Sequence, residues 1–238
     1  MEASSQRQSD AAYESLKQLI IRAELRPGAV IEEAVMMERL GVGRTPLREA
    51  VQRLAQEDLL ESVPRRGYFV TEITAADLYN VFEVRLHLEA FAARLAAERI
   101  RPHQLAEFDA LLEEARAGIA ADRRDLDWNL GIDERFHRIV SQATGNPYLV
   151  AAINRHLGLS VRTLYLSRVP ITLIRDEIAT YDEMRAALAA GDPTAAEDAM
   201  RKHLDFDPTE MFRNASAGPR GREHADSAGA ANGGERAR

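Results

Sequence analysis

Cysteine is absent from the 238 residues. Its absence excludes disulfides, thiolate zinc sites, iron–sulfur centres and cysteine nucleophiles, and it suits a reducing compartment. No apolar run approaches the roughly 18 residues a membrane helix needs, and Met1 to Asp10 lacks the apolar centre of a signal peptide. The expectation is a cytoplasmic protein with no membrane partner. A positive charge excess is also missing, since 31 Lys and Arg face 38 Asp and Glu for a net charge of −7. That balance argues against indiscriminate adhesion to nucleic acid, but it averages over any local basic patch. What the chain does have is 45% hydrophobic residues, enough for a sizeable core, in a length suited to one or two domains.

The two ends carry little periodicity. Residues 1–9 are short and polar, and from Asn214 onward Gly, Ala, Ser and Arg dominate. Both read as solvated tails, 1–9 and 214–238. Between them the spacing is mostly helical, giving a mostly α chain. Tyr13, Leu16, Ile20 and Ala23 recur at helical spacing before Pro27-Gly28. A short helix fits Glu32 to Leu40 with Gly41 as terminator. Another begins near Thr45-Pro46, with Thr45 as N-cap and Pro46 in the first helical position. Leu60 to Val63 and Tyr68 to Thr71 read as strands around a Pro64-Arg65-Arg66-Gly67 turn. Residues 10–72 therefore form a winged helix-turn-helix.

From Thr74, a capping-box start with Asp77, the chain reads as an antiparallel bundle of about six helices over residues 73–213. Their spans are to about Arg99, from Pro102 to about Ala121, from Leu126 to Ala143, from Pro147 to before Pro170, to Ala190, and from Pro193 to about Phe212. Gly145-Asn146-Pro147 and Gly191-Asp192-Pro193 punctuate it as Gly terminator, cap and first-turn proline.

Two constellations carry chemistry. In the first, Arg44 and Arg48 stand four apart at the start of the helix after the Leu40-Gly41-Val42-Gly43 turn. They share a face at the end that enters a major groove in such folds, where a forked guanidinium pairs with guanine. The helix N-terminus also favours phosphate. Arg53 continues the basic side of that helix, and Arg65 and Arg66 sit at the hairpin tip, placed for backbone or minor groove. The bland reading is a solvated charged face. In the second, Asp133 and His137 stand four apart on one bundle helix and project to one side. With His203 on the last helix they suit Zn²⁺, Ni²⁺ or another first-row divalent ion. The bland reading is a surface ion pair.

The run Gly41-Val42-Gly43-Arg44-Thr45-Pro46-Leu47-Arg48-Glu49-Ala50-Val51-Gln52-Arg53-Leu54, with Pro64-Arg65-Arg66-Gly67-Tyr68-Phe69-Val70, resembles the N-terminal domain of GntR-family bacterial transcription regulators. Glu83-Val84-Arg85, Leu88-Glu89, Asp133-Glu134-Arg135-Phe136-His137, Gly145-Asn146-Pro147 and Met200-Arg201-Lys202-His203 resemble the FCD effector domain of its FadR subfamily, and six helices point to the VanR-like branch.

The resemblance implies a DNA-binding regulator, usually a repressor, that reads an inverted-repeat operator as a homodimer and answers to a small carboxylate effector. It implies that Arg44 and Arg48 read bases, that Thr45 and Arg53 hold phosphate, and that Arg65, Arg66 and Gly67 form the wing tip. It implies a divalent metal on Asp133, His137 and His203, with Tyr181 where many members carry a further His. It implies effector contacts from Arg85, Tyr181, Arg162 and Asn154. Two departures stand out: Gly43 replaces a Ser or Thr that touches the DNA backbone, and Ile31 to Met37 lacks a Leu-Pro-Glu-type pattern. The competing reading is a helical-bundle metal-dependent hydrolase using Asp133, His137 and His203. No separate acid–base or nucleophile motif accompanies that trio.

Overall fold

The computed structural model describes residues 2–167 and 173–205. Helices α1 (Glu2–Ile21), α2 (Glu33–Leu40) and α3 (Arg44–Gln56) and strands β1 (Leu60–Val63) and β2 (Gly67–Val70) make the first unit. Leu16, Ile20, Met36, Leu47, Ala50, Val51 and Leu54 close its core over Leu59, Leu60 and Val70. The helix-turn-helix bend depends on Gly41, which caps α2 at φ +65°, a left-handed conformation that glycine adopts without steric cost. The strands pair antiparallel with Leu60 opposite Val70 and Val63 opposite Gly67. Pro64, Arg65 and Arg66 are left as an exposed tip. The segment before α2 seals the other side of β2: Ile31 N donates to Tyr68 O at 2.8 Å and Val70 N to Ala29 O at 2.8 Å.

Two expectations for this unit need correction. The N-terminus is helical from Glu2, not a tail through residue 9, and Ser9 is buried. The N-cap of α3 is Gly43, at φ −76° and ψ 172°, and not Thr45. An N-cap needs extended backbone, and here the extended residue precedes Arg44. Pro46 falls in the third helical position, where a missing N–H still costs nothing.

The second unit contains, among the described residues, α4 (Ala75–Arg99), α5 (Pro102–Ala120), α6 (Leu126–Ala143), α7 (Pro147–Ser167), α8 (Leu173–Ala190) and α9 (Pro193–His203). Its caps follow the sequence. Asp77 N donates to Thr74 Oγ1 at 3.1 Å while Thr74 N donates to Asp77 Oδ2 at 2.9 Å. Asn146 and Asp192 accept from the first-turn amides of α7 and α9. The core joins Phe108, Leu111, Phe136, Ile139, Tyr181, Met184, Leu188 and Met200, with α6 touching α4, α5, α7 and α8. Helix α9 stops at His203, capped by Leu204. The expected extension to Phe212, the tail 214–238 and Pro170 lie outside the described residues. No helix among the described residues is long and apolar enough to cross a membrane.

Helix α7 joins the two units. Ile21, the last residue of α1, is buried with Leu130, Leu157, Val161 and Leu164 of the bundle. Gly158 lies against it, where a Cβ would stand at an ordinary contact distance of 3.4 Å from Ile21 Cδ1.

A tighter approach fixes α5 against α6. A Cβ on Gly118 would lie 2.0 Å from Trp128 Cζ2 and 2.4 Å from Cη2. Ala in a helix gains about 1 kcal/mol over Gly, but overpacking a rigid indole costs about 1–3 kcal/mol. Gly118→Ala should therefore lower stability to urea, followed by the fluorescence of Trp128. An unchanged midpoint would show that the ring moves freely.

Candidate functional site

The N-terminal end of α3 presents Arg44 and Arg48 to solvent, with side chains 66% and 60% exposed. Both lean on one carboxylate at the start of α2. Arg48 Nε donates to Glu33 Oε1 at 2.8 Å and Nη2 to Oε2 at 3.3 Å, and Arg44 Nε lies 3.7 Å from Oε2. Glu33 raises the Arg48 pKa by hydrogen bonding first and by its charge second. Thr45 is exposed beside them. The forks are thus held on the surface, not buried, and the wing tip with Arg65, Arg66 and Gly67 projects from the same unit. Arg66 lies over the Phe69 ring at 5.3 Å. Arg53 is tied inward: its Nη1 donates to Asp10 Oδ1 at 2.7 Å and its guanidinium stacks 3.9 Å above the Tyr13 ring.

The second site lies inside the bundle. Asp133 and His137 come from α6 and His203 from α9, and their ligand atoms all lie within 4.8 Å of one another. His137 Nε2 and His203 Nε2 are 3.2 Å apart, and they stand 3.6 and 3.4 Å from Asp133 Oδ1. Tyr181, fully buried on α8, donates to Asp133 Oδ1 at 3.0 Å and stacks on Phe136 with ring centroids 4.2 Å apart. Burial first, then the Asp133 and Glu177 charges, push the Tyr181 phenol well above its ordinary pKa. It stays protonated, a hydrogen-bond donor to the carboxylate.

Sequence reasoning missed the carboxylates behind the imidazoles. Glu89 on α4 sets Oε2 against His137 Nδ1, outside hydrogen-bond alignment. Glu89 Oε1 accepts from Arg85 Nε at 2.7 Å, and Arg85 Nη2 returns to His137 Nε2 at 3.2 Å. Glu177 Oε2 lies 3.7 Å from His203 Nδ1. Both Nδ1 edges therefore lie near a carboxylate, with Thr180 Oγ1 closer to His203 Nδ1 at 3.5 Å, and both Nε2 edges converge on Asp133. An acidic residue four after Arg85 on a buried face was the available signal for Glu89.

Burial alone would raise the Glu89 carboxyl, but Arg85 and His137 outweigh it and hold it at about 2. Burial likewise opposes ionisation of Asp133, and His137 and His203 together hold that carboxyl well below the usual range.

The donor set fits a divalent cation on two grounds. Ligand atoms about 2.0–2.1 Å from a tetrahedral metal stand about 3.3 Å from each other, and the three separations here bracket that value. Charge points the same way. Arg85 is the guanidinium set against the buried carboxylates of Glu89 and, more distantly, Asp133, so with neutral imidazoles these two carboxylates lack one positive charge.

Arg162 and Asn154, expected at the effector site, lie elsewhere. Arg162 is buried on α7, its Nη1 donating to Thr71 Oγ1 at 3.1 Å and its Nη2 to Thr71 O. Burial lowers its pKa to about 10. Asn154 lines a groove of about 730 Å³ between α1 and α7, with Tyr13, Lys17, Glu57, Glu134 and Arg155. Both mark the junction between the units, as does the Arg155–Asp58 ion pair.

A winged helix with exposed arginines, joined to a helical bundle enclosing a polar site, is the architecture of a DNA-binding transcription regulator. Residues 8–70 match the family described as bacterial regulatory proteins, gntR family, and residues 80–206 match the FCD domain. The chain belongs to the GntR family of transcription regulators and carries an FCD domain. It is 29% identical over 213 residues to the HTH-type transcriptional repressor GlaR of Escherichia coli K12, covering 87% of this chain and 96% of that protein. It is 34% identical over 188 residues to a probable D-xylose utilization operon transcriptional repressor of Paenarthrobacter nicotinovorans, covering 78% and 80%. The E. coli McbR/YncC structure shares the fold, with TM-score 0.75, 24% identity and coverage of 87% and 97%. These relatives are regulators, so the hydrolase reading of Asp133, His137 and His203 is not favoured.

Two outcomes follow from this geometry. A Cβ at Gly43 would meet nothing nearer than Pro46 Cδ at 3.9 Å, so Gly43→Ser fits without strain. It should stabilise the winged unit by a few tenths of a kcal/mol as a true cap and tighten DNA binding by restoring a hydroxyl. Equal affinity in a gel shift would remove that turn from the backbone contact. Glu89 has its folded pKa depressed from 4.5 to about 2, so its contribution, on the order of 3 kcal/mol, is complete above about pH 4.5. It is lost as pH falls toward 2. Glu89→Gln should flatten the loss of stability in that window, measured by urea midpoints from pH 5 down to 2.

Proposed function

We propose that the protein is a ligand-responsive repressor of the VanR-like branch. It binds an inverted-repeat operator as a homodimer and is controlled by a small carboxylate held with a divalent metal, Zn²⁺ or Ni²⁺, in the bundle. The observation that carries the regulatory half is the convergence of Asp133, His137 and His203 beside Arg85 in a buried cluster short of positive charge. A metal bound there supplies a Lewis-acid point for a carboxylate oxygen. Asp133, His137 and His203 hold it, Glu89 and Glu177 orient the imidazoles, Tyr181 fixes Asp133 by donating to it, and Arg85 supplies the fork for the acid.

For DNA, Arg44 and Arg48 read base edges, and Thr45 and the tip from Arg65 to Gly67 meet backbone. Arg53 reaches a phosphate only by leaving Asp10. Dimerisation is supported by the exposed Val84 and Phe91, two turns apart on α4, with Tyr148 exposed at the start of α7. Two winged units related by a two-fold axis read two half-sites. The names of the GlaR and D-xylose relatives support repression.

The effector acts only by favouring one placement of the winged unit over another. Helix α6 offers a path, turning Asp133 and His137 to the cluster and Glu134 to the groove against α1. Helix α7 grips Thr71 just before Glu72-Ile73-Thr74, the link between the units and the hinge in this reading.

Selection of bound duplexes from a random pool should yield an inverted repeat. On that operator Arg44→Ala and Arg48→Ala should each cost about 1–3 kcal/mol, with a steep loss of binding as salt rises. Wild-type affinity for either variant in a gel shift would defeat the base-reading assignment.

A further inference from the structure

Arg85 stands in an unusual place for a residue awaiting an anionic ligand. Its side chain is 4% exposed and enclosed in a three-membered ring. Nε donates to Glu89 Oε1 at 2.7 Å, Glu89 Oε2 abuts His137 Nδ1, and Nη2 closes the ring on His137 Nε2 at 3.2 Å. The last contact has one chemical meaning. A guanidinium has donors and no acceptor, so it engages an imidazole nitrogen only through that nitrogen's lone pair. The proton of His137 is then on Nδ1, beside Glu89, and the Nε2 lone pair is committed to Arg85 and to His203, whose Nε2 is also 3.2 Å away.

That lone pair is the one a metal would need. The nitrogen cannot give it to a cation and to a guanidinium together. A dication beside the guanidinium is also repelled strongly at this burial. Arg85 further supplies positive charge beside Glu89, the role a bound cation would share.

Resting on the metal reading above, we infer that Arg85 is an internal competitor for the metal position: its guanidinium must leave His137 Nε2 before a divalent cation binds there. Expulsion frees Nη2 while Nε keeps its tether to Glu89. The released edge of the fork lies next to the cation and takes a carboxylate. Arg85 thereby couples acid binding to metal, since its Nη2 is bonded to His137 until a cation displaces it.

The test uses the full chain stripped of metal and Ni²⁺ alone as probe, titrated in competition with a chromogenic chelator. Arg85→Met removes the competitor and should tighten Ni²⁺ binding at least tenfold. His203→Ala in either background should abolish it, which ties the signal to this cluster. Equal or weaker Ni²⁺ affinity in folded Arg85→Met overturns the competition. If that variant does not fold, nitrogen-15 NMR of the wild type decides. Added Zn²⁺ should shift His137 Nε2 to a coordinated resonance and release the hydrogen-exchange protection of the Arg85 Nη–H groups. Protection that persists in the Zn²⁺-loaded protein overturns the inference. A wild type and an Arg85→Met variant that both take up neither ion defeat the metal reading itself, and the inference with it. Uptake at equal affinity defeats the inference alone.

Discussion

Ionised carboxylates in a hydrophobic bundle demand compensation, and the interior of this protein is organised around that demand. Asp133 and Glu89 are removed from water yet held as anions by His137, His203 and Arg85. Breaking such a group from its partners costs far more than the group ever contributes, so α4, α6, α8 and α9 are all committed to one spot. Phe136 stacked on Tyr181 and the wall of Phe108, Leu111 and Met200 keep the medium around the cluster apolar. This makes each polar contact stronger and each missing one more costly. The shape of the bundle and the chemistry of its centre are therefore one requirement.

The junction between the units follows the same logic more weakly. Arg162 is fully buried and donates to two oxygens of Thr71, and α7 adds the Arg155–Asp58 pair and the contact of Gly158 with Ile21. Ile21 carries the apolar share of the contact. A winged unit seated this way is positioned mainly by side chains of α7, with Leu130 and Asp127 of α6 adding to the contact, so a small movement of α7 would be felt along both Thr71 and α1.

Much of this was legible beforehand. The Thr74–Asp77 box, the Gly145 and Gly191 stops and the i, i+4 stripe of Asp133 and His137 depend on local chemistry, and they stand where spacing put them. Failures came where tertiary contact decides. Residues 2–9 look polar, but Ser9 is buried beneath α1's partners. Thr45 has the better capping side chain, yet the chain turns at Gly43. Arg162 and Arg85 look alike in sequence, each a cation on a mostly apolar helix. Only the fold shows that one faces the bundle interior and the other the winged unit, because α7 is covered on both sides. Glu89 stood in the FCD resemblance but received no role at the site, because a carboxylate four residues after an arginine reads as an ordinary surface pair.

The Glu33 carboxylate bears on kinetics as well as affinity. In the base-reading role proposed for it, Arg48 exchanges two bonds to Glu33 for bonds that only the right sequence offers in full. On random duplex the exchange is incomplete, and a negative group remains close to the phosphates. Dwell time on the wrong sequence is shortened in consequence. Under that proposal the protein stalls less on non-operator DNA and finds its target sooner than a more basic surface would allow.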